Sequence, residues 1–344
     1  MKARIFMAVI TIAALISAPF SFAADESEGI GIFETIHASS VSFDETTAAV
    51  DAAFASSRLV LHAAHDVRVP DDKHRARVYV LTSPAYADAA KEESARTVSA
   101  QVLRLAVYTQ GDEQKTFINM ANPVAHAMVF YSESSNYKTL IAAAAKAAGE
   151  MHDLVSTVPG VAMATQQEPI RSEKHYRAFK GDGPARMMAK FRNFRKSQLE
   201  IMEDSAENFD AVVEKVTAAL SKRAVIGPED SEGWEQLALI PVGDDAVYIG
   251  VSNPYIEDKM IRINSRFRKD GKSENSPYPG VDHVAALPAE ILIIREGRKT
   301  LVLHYGQMWR MQLYFWDSGY RAFTANVGVP NRIALSIEDT INAQ

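Results

Sequence analysis

Apolar positions in residues 209–220 fall at Phe209, Val212, Val213, Val216 and Leu220, the spacing of one buried helix face. An earlier segment opens on the same Phe-Asp pair, Phe43-Asp44, and sets Ala48, Ala52 and Ala55 among Val50 and Phe54. Both segments predict helices. Residues 78–80 and 247–251 are β-branched and bounded by Ser and Pro, which predicts strands. Residues 103–108 and 291–294 run apolar into Gly111 and Gly297 and emerge into 117–118 and 301–303, so each predicts a hairpin. A long Ala-rich helix is expected over 137–158, with Leu140, Ala144, Ala147, Met151 and Leu154 on one face, and a shorter one over 332–340. Alternation over 310–316 predicts a strand that turns Met311, Leu313 and Phe315 to the core and Arg310, Gln312, Tyr314 and Trp316 to the other side.

These elements recur in order. Phe43-Asp44 lies on Phe209-Asp210, VYVLTSPAY (78–86) on VYIGVSNPY (247–255), the segment from Leu103 on that from Ala289, and HAMVFY (126–131) on RMQLYF (310–315). Each match is weak alone, but their shared order points to a duplicated domain. The fold class expected is α+β: two similar domains from an internal duplication, each a mainly antiparallel sheet packed by helices. The expected division is 1–23 signal peptide, 24–158 first repeat domain, 159–190 basic linker and 191–344 second repeat domain.

The leader reading rests on Lys2 and Arg4, an apolar run over 5–16 and Ser21-Phe22-Ala23, the three parts of a secretory signal. The run is too short to span a bilayer, and no later stretch approaches the roughly 18 apolar residues a membrane helix needs. The sequence therefore predicts a soluble, Sec-exported periplasmic protein without a transmembrane segment. Cysteine is absent, which excludes disulfides, thiolate nucleophiles and attached c-type haem. The formal charge of −6 becomes −8 without Lys2 and Arg4, which argues against nucleic acid. Residues 171–196 hold nine Lys or Arg against Glu173 and Asp182, a basic segment suited to an anionic surface.

Phe-Asp opening a helix, a short strand entering a Ser/Asn-Pro turn, and a hairpin closing on INMANP (118–123) together resemble the domain of unknown function 302 family. The resemblance covers residues 32–131 and, more divergently, 200–316. It implies a compact α/β domain often found as a dimer, so two fused copies would form an intrachain pseudo-dimer; a homo-oligomer is the other possibility. It brings no catalytic residues.

No G-x-S-x-G, H-E-x-x-H, G-x-G-x-x-G or Walker loop occurs. Three groups of residues carry candidate chemistry. Tyr248, Tyr255, His304, Met308, Trp309, Arg310, Tyr314 and Trp316 would line a ligand-binding cleft between the copies, the aromatics as walls and Arg310 for an anionic group. His304, Met308 and Met311 form a soft donor set that would suit copper or haem. Asp282, His283 and Glu290 are the residues a hydrolase or isomerase would use. His62, His65 and His74 add a further imidazole cluster, but on an extended chain a spacing of three sends His62 and His65 to opposite faces. The reading favoured is an exported, non-catalytic protein that binds a small molecule or a protein partner. The alternatives are a metal- or haem-binding accessory protein of periplasmic redox metabolism and an enzyme.

Overall fold

The computed structural model describes residues 29–70, 73–111, 113–179, 181–182, 197–222, 233–267 and 280–343. The expected leader, 1–23, and most of the basic segment lie outside the described residues. The first half contains β1 (Ile30–Ser39), α1 (Phe43–Ala53), β2 (Val60–Val67), β3 (Ala76–Thr82), α2 (Pro84–Ala90), a 3-10 segment Ala95–Gln101, β4 (Val102–Gln110), β5 (Lys115–Ala121), α3 (Pro123–Phe130), α4 (Tyr137–Val155), β6 (Gly160–Arg171) and α5 (Glu173–Arg177). The second half contains β7 (Gln198–Ser205), α6 (Phe209–Ser221), β8 (Glu235–Val242), β9 (Ala246–Ser252), α7 (Pro254–Phe267), a 3-10 segment Val281–Ala286, β10 (Ala289–Glu296), β11 (Lys299–Tyr305), α8 (Gln307–Tyr314), α9 (Gly319–Asn326) and α10 (Val329–Asn342).

The fold is α+β. Its sheets run β2-β3-β4-β5-β1-β6 and β7-β11-β10-β9-β8, and every pairing is antiparallel. The first five strands of one sheet and all five of the other follow the same order. β6 is the addition: it extends the first sheet beyond β1. The segment expected as a linker, 159–190, is thus a strand over its first part.

Local chemistry explains the element boundaries. Ser42 caps α1 through a capping box with Glu45, satisfying two otherwise orphaned amides. Asn122 caps α3 with Pro123 in its first turn, the position where a missing N–H costs nothing. On α6 the predicted stripe is realised: Phe209, Val212, Val216 and Leu220 are buried, each contributing about 1.5–3 kcal/mol.

Two corrections concern register and element type. Laying β3 on β9 by their pairing to β4 and β10 sets Val80, opposite Arg104, against Gly250, opposite Glu290. Ser83-Pro84 then matches Asn253-Pro254, one residue away from the match read in the sequence. A one-residue slip exchanges the two faces of a strand, so this register decides which side chains meet. Residues 310–316 are not a strand: Gln307–Tyr314 is helix α8, with Trp309, Arg310, Gln312, Leu313 and Tyr314 buried. Trp309 and Leu313, and Arg310 and Tyr314, are four apart and share one helical face. In so short an apolar run both periods fit, and periodicity alone does not choose between them.

The halves exchange contacts reciprocally. Val281–Ala286 of the second half packs on β3, β4 and β5, and Ala95–Gln101 of the first packs on β9 and β10. Asn119 Nδ2 donates to the Asp282 carbonyl at 2.6 Å, and Arg96 forms an ion pair with Glu296 at 2.7 Å. A single contiguous set of buried apolar residues runs through both sheets.

Candidate functional site: a buried charge hub and a polar cleft between the halves

Two sites are built at the junction, one closed and one open. The closed site starts from Arg104, the single charge in the apolar strand β4, which is 1 % exposed. A guanidinium cannot shed its proton at that depth, so it must be paired. Arg104 Nη1 donates to Glu290 Oε1 on β10 at 3.1 Å and to the Ala286 carbonyl at 3.1 Å. Its Nη2 donates to Tyr314 Oη on α8 at 2.7 Å. Glu290 Oε2 accepts from Arg310 Nη1, and Arg310 Nη2 reaches the Ala286 and Pro288 carbonyls.

His126 on α3 completes the hub. Tyr314 Oη lies 2.9 Å from its Nε2, and Arg104 Nη2 lies 3.1 Å from the same atom. Burial, with the charges of Arg104 and Arg310 behind it, holds the His126 pKa well below the ordinary imidazole value. The ring is therefore neutral, and Nε2 accepts. Tyr248 on β9 is buried beside the hub, and burial together with Glu290 raises its hydroxyl pKa. Two cations, one carboxylate and a neutral imidazole leave the hub with one net positive charge.

A second buried system holds His283 between two carboxylates, with Asp282 Oδ1 3.1 Å from Nδ1 and Asp317 Oδ1 3.3 Å from Nε2. Burial pulls the imidazole pKa down, but Asp317 and Asp282 outweigh it and push it up to about 9. Phe33 meets the ring edge-on at 4.8 Å and Phe315 stacks at 5.7 Å. Glu290 is not part of this group, since its carboxylate is held by Arg104 and Arg310. The three residues considered for an enzyme thus fall into two separate ion-pair systems.

The remaining candidates scatter. His304 on β11 is fully buried, with Nε2 3.0 Å from Glu338 Oε1 on α10. Burial lowers its pKa more than Glu338 raises it, so the ring is neutral. Met308 and Met311 are half-buried on α8, and Met311 lines an apolar cavity of about 40 Å³ with Ile256, Met260 and Ile333. Trp309 stacks on Tyr305 at 5.5 Å and meets Phe130 and Phe179 edge-on. Trp316 packs on Phe323, and Tyr255 sits under Lys259. Of the eight predicted cleft residues, Tyr248, Arg310 and Tyr314 come together in the hub, and the other five do not join them. Among the described residues no group of three His, Cys, Asp or Glu is arranged to hold a metal ion.

The open site lies where β2 of the first half approaches the start of α7 in the second. It is a cleft of about 370 Å³ whose lining includes His65, Asp66, Arg68, Glu235, Asn253 and Glu257. At its floor Glu257, 3 % exposed, accepts from three donors: Ser252 Oγ at 2.6 Å, His65 Nε2 at 2.7 Å and the Arg68 amide at 2.7 Å. Burial lowers the His65 pKa, but the Glu257 hydrogen bond and charge reverse that and leave it raised. Asp66 is held in a bidentate pair with Arg77 at 2.7 and 3.0 Å. His62 bonds Thr82 instead, so the histidines of this strand serve different partners.

Sequence reasoning missed Arg104, His126, Asp317, Asn253 and Glu257. A lone arginine inside VLRLAVY was the available signal for the hub, since a charge in a buried strand requires a partner. The cleft left no comparable mark, because its walls come from segments nearly 190 residues apart. Comparison of the chain with protein-family models, with curated proteins and with solved structures returned no match.

Proposed function

We propose that this chain is an exported, non-catalytic binding protein whose halves arose by duplication and pair as an intrachain pseudo-dimer, with a ligand or partner held in the cleft between them. The resemblance of residues 32–131 and 200–316 to the domain of unknown function 302 family belongs to this reading. The observation that carries it is the polar cleft of about 370 Å³ to which both halves contribute. A site made by two halves is sensitive to their relative position, as ligand sites at domain junctions are.

The hub supports the pairing. By strand register Arg104 and Glu290 occupy equivalent places in the two halves, and they contact each other. In a dimer of identical domains each would meet its own copy, charge against like charge. A fused pair can place opposite charges there, which favours closure within one chain over self-association of either half. No catalytic assignment follows from Asp282, His283 and Glu290, which are held in two separate buried ion-pair systems.

The test is ligand-observed NMR of the mature full-length chain against an extract of small polar metabolites, repeated on His65→Trp, which fills the cleft. Binding to the wild type that the variant loses while keeping its fold is the expected outcome. A ligand retained by the filled variant would remove the cleft from the proposal, and turnover of the ligand would remove the non-catalytic reading.

A further inference from the structure

We infer that two copies of this chain associate by antiparallel pairing of their β6 edges, which joins two six-stranded sheets into one. This goes beyond the binding reading and does not depend on it.

The two sheets end in β2, β6, β7 and β8. An edge strand turns alternate backbone amides and carbonyls outward, where another strand can pair with them. Three of the four ends are covered or charged. β2 and β8 lie against each other at the junction of the halves. β7 carries Glu200, Glu203 and Asp204, so two such strands side by side would set acid against acid. β6 differs from all of them. Its residues 160–167, GVAMATQQ, contain no charge and no proline, and among the described residues its outer side pairs with no strand. Val161 is 68 % exposed, and Ala162, Ala164 and Thr165 are exposed beside it.

The open stretch is bounded and firmly held. At its far end Glu168 Oε2 accepts from the Ile170 amide at 3.1 Å, and Pro169 has no amide to offer a further strand. On its inner side Gln166 Oε1 accepts from the Gly31 amide at 2.9 Å, and Gln167 Nε2 donates to Thr35 Oγ1 at 2.7 Å. These two glutamines keep β6 in register on β1, so the edge is presented as a formed strand.

Charge and symmetry select the occupant. Residues 160–167 laid against their own copy meet no like charge in any register, the condition that fails for β7. Antiparallel pairing about a two-fold axis perpendicular to the sheet closes after two copies and consumes both open edges. Pairing along one strand covers less than the roughly 1,200–2,000 Å² of a standard stable interface, so the dimer should be weak, with a micromolar dissociation constant.

The experiment is sedimentation velocity of the mature full-length chain over a concentration series, in which a reversible dimer should appear. Ala162→Lys combined with Ala164→Lys charges the edge and should raise the dissociation constant at least tenfold at unchanged thermal stability, whereas Leu199→Lys on β7 should leave it unchanged. The chain has no cysteine of its own, so single cysteines placed at 161–165 report the pairing directly. One of them should give a disulfide-linked dimer much faster than those two residues away, because about a two-fold axis only the central residue meets its own copy. If the lysines lower the melting temperature, the cysteine series decides alone. A chain that stays monomeric at its highest soluble concentration would overturn the inference. So would a dimer that survives the double lysine variant with its fold and affinity intact, or cross-linking at 161–165 no faster than through Leu199→Cys. Open-ended association into larger species would overturn the closed pair.

Discussion

Replacing Glu290 by Gln removes the single carboxylate that neutralises two buried guanidiniums while keeping side-chain size. Glu290 is 2 % exposed, and the Arg104 and Arg310 side chains are 2 % and 5 % exposed, so water cannot replace what is lost. Gln still accepts through one oxygen but supplies an amide donor where Glu290 accepted from the second arginine. The hub then holds two like charges and a donor facing a donor. Breaking a buried pair by removing one partner costs about 3–5 kcal/mol. For a chain of this size each kcal/mol lowers the midpoint by roughly 2 °C, so Tm should fall by roughly 6–10 °C. Because Glu290 and Arg310 belong to one half and Arg104 and His126 to the other, both halves should lose stability together. The assay is urea unfolding of wild type and variant, followed separately by tryptophan fluorescence, whose probes Trp234, Trp309 and Trp316 are all in the second half, and by far-ultraviolet circular dichroism. A loss below about 1 kcal/mol, or a fluorescence transition that separates from an unshifted dichroism transition, would refute the account of the hub as the tie between halves. Arg104→Met combined with Glu290→Gln should cost less than the sum of the single changes, since Arg310 is then the only charge left to accommodate.

Three further outcomes follow from the buried groups. Folded His283 holds its proton up to about pH 9, whereas the unfolded chain releases it near 6.5; stability should therefore fall by about 3 kcal/mol between those values, and a flat profile in chemical denaturation across pH 6.5 to 9 would sink this. In the opposite direction, Arg171 and His175 overcome burial and hold Asp182 down to about 2, so about 2–3 kcal/mol should disappear as the pH falls from about 4 to about 2, and Asp182→Asn should abolish that acid-limb component. Gly250→Ala would bring a Cβ to 2.6 Å from Pro288 Cγ and 3.3 Å from Tyr248 Cε1, next to the hub; overpacking of this kind costs about 1–3 kcal/mol, and a variant with unchanged midpoint denaturant concentration would show that the site yields.

The outline of the fold was legible wherever a period was long enough to decide. Phe209 to Leu220 sustain the helical stripe over three turns, and the glycine turns after 110 and 296 mark both hairpins, so α6 and the strand pairs β4-β5 and β10-β11 were found. Residues 310–316 were misread because a seven-residue aromatic segment satisfies period 2 and period 3.6 equally. The deciding mark lay in the other half: Asn122-Pro123 is a helix start, whereas Gly306-Gln307, at the same place by strand register, carries neither capping residue. β6 was hidden for a different reason. Its residues are mostly exposed, with Val161 and Ile170 among the exposed apolar side chains, so an edge strand there carries little of the alternation that reports burial.

The candidate site was legible only in part, and the reason is the way charge is distributed over the two halves. Arg310 and Tyr314 were among the predicted cleft residues, and both do lie in the hub. Of their partners, Arg104 looks like a misplaced charge in one half, and Glu290 was grouped in the other with Asp282 and His283, which it does not join. Neither is interpretable until strand register brings them to equivalent positions on facing elements. The same register explains why the hub is closed to solvent. Ala286 and Pro288, whose carbonyls cap the two guanidiniums, lead directly into β10, so the chain seals the charges as it enters the sheet. The cleft at the head of α7 is open instead, with the Glu257 carboxylate at its floor held by Ser252, His65 and the Arg68 amide. A buried charge held by its opposite ties a structure together, whereas an open polar cleft leaves room for something else. On that contrast the hub fastens the halves, and the cleft at the head of α7 is where the proposed binding is to be tested.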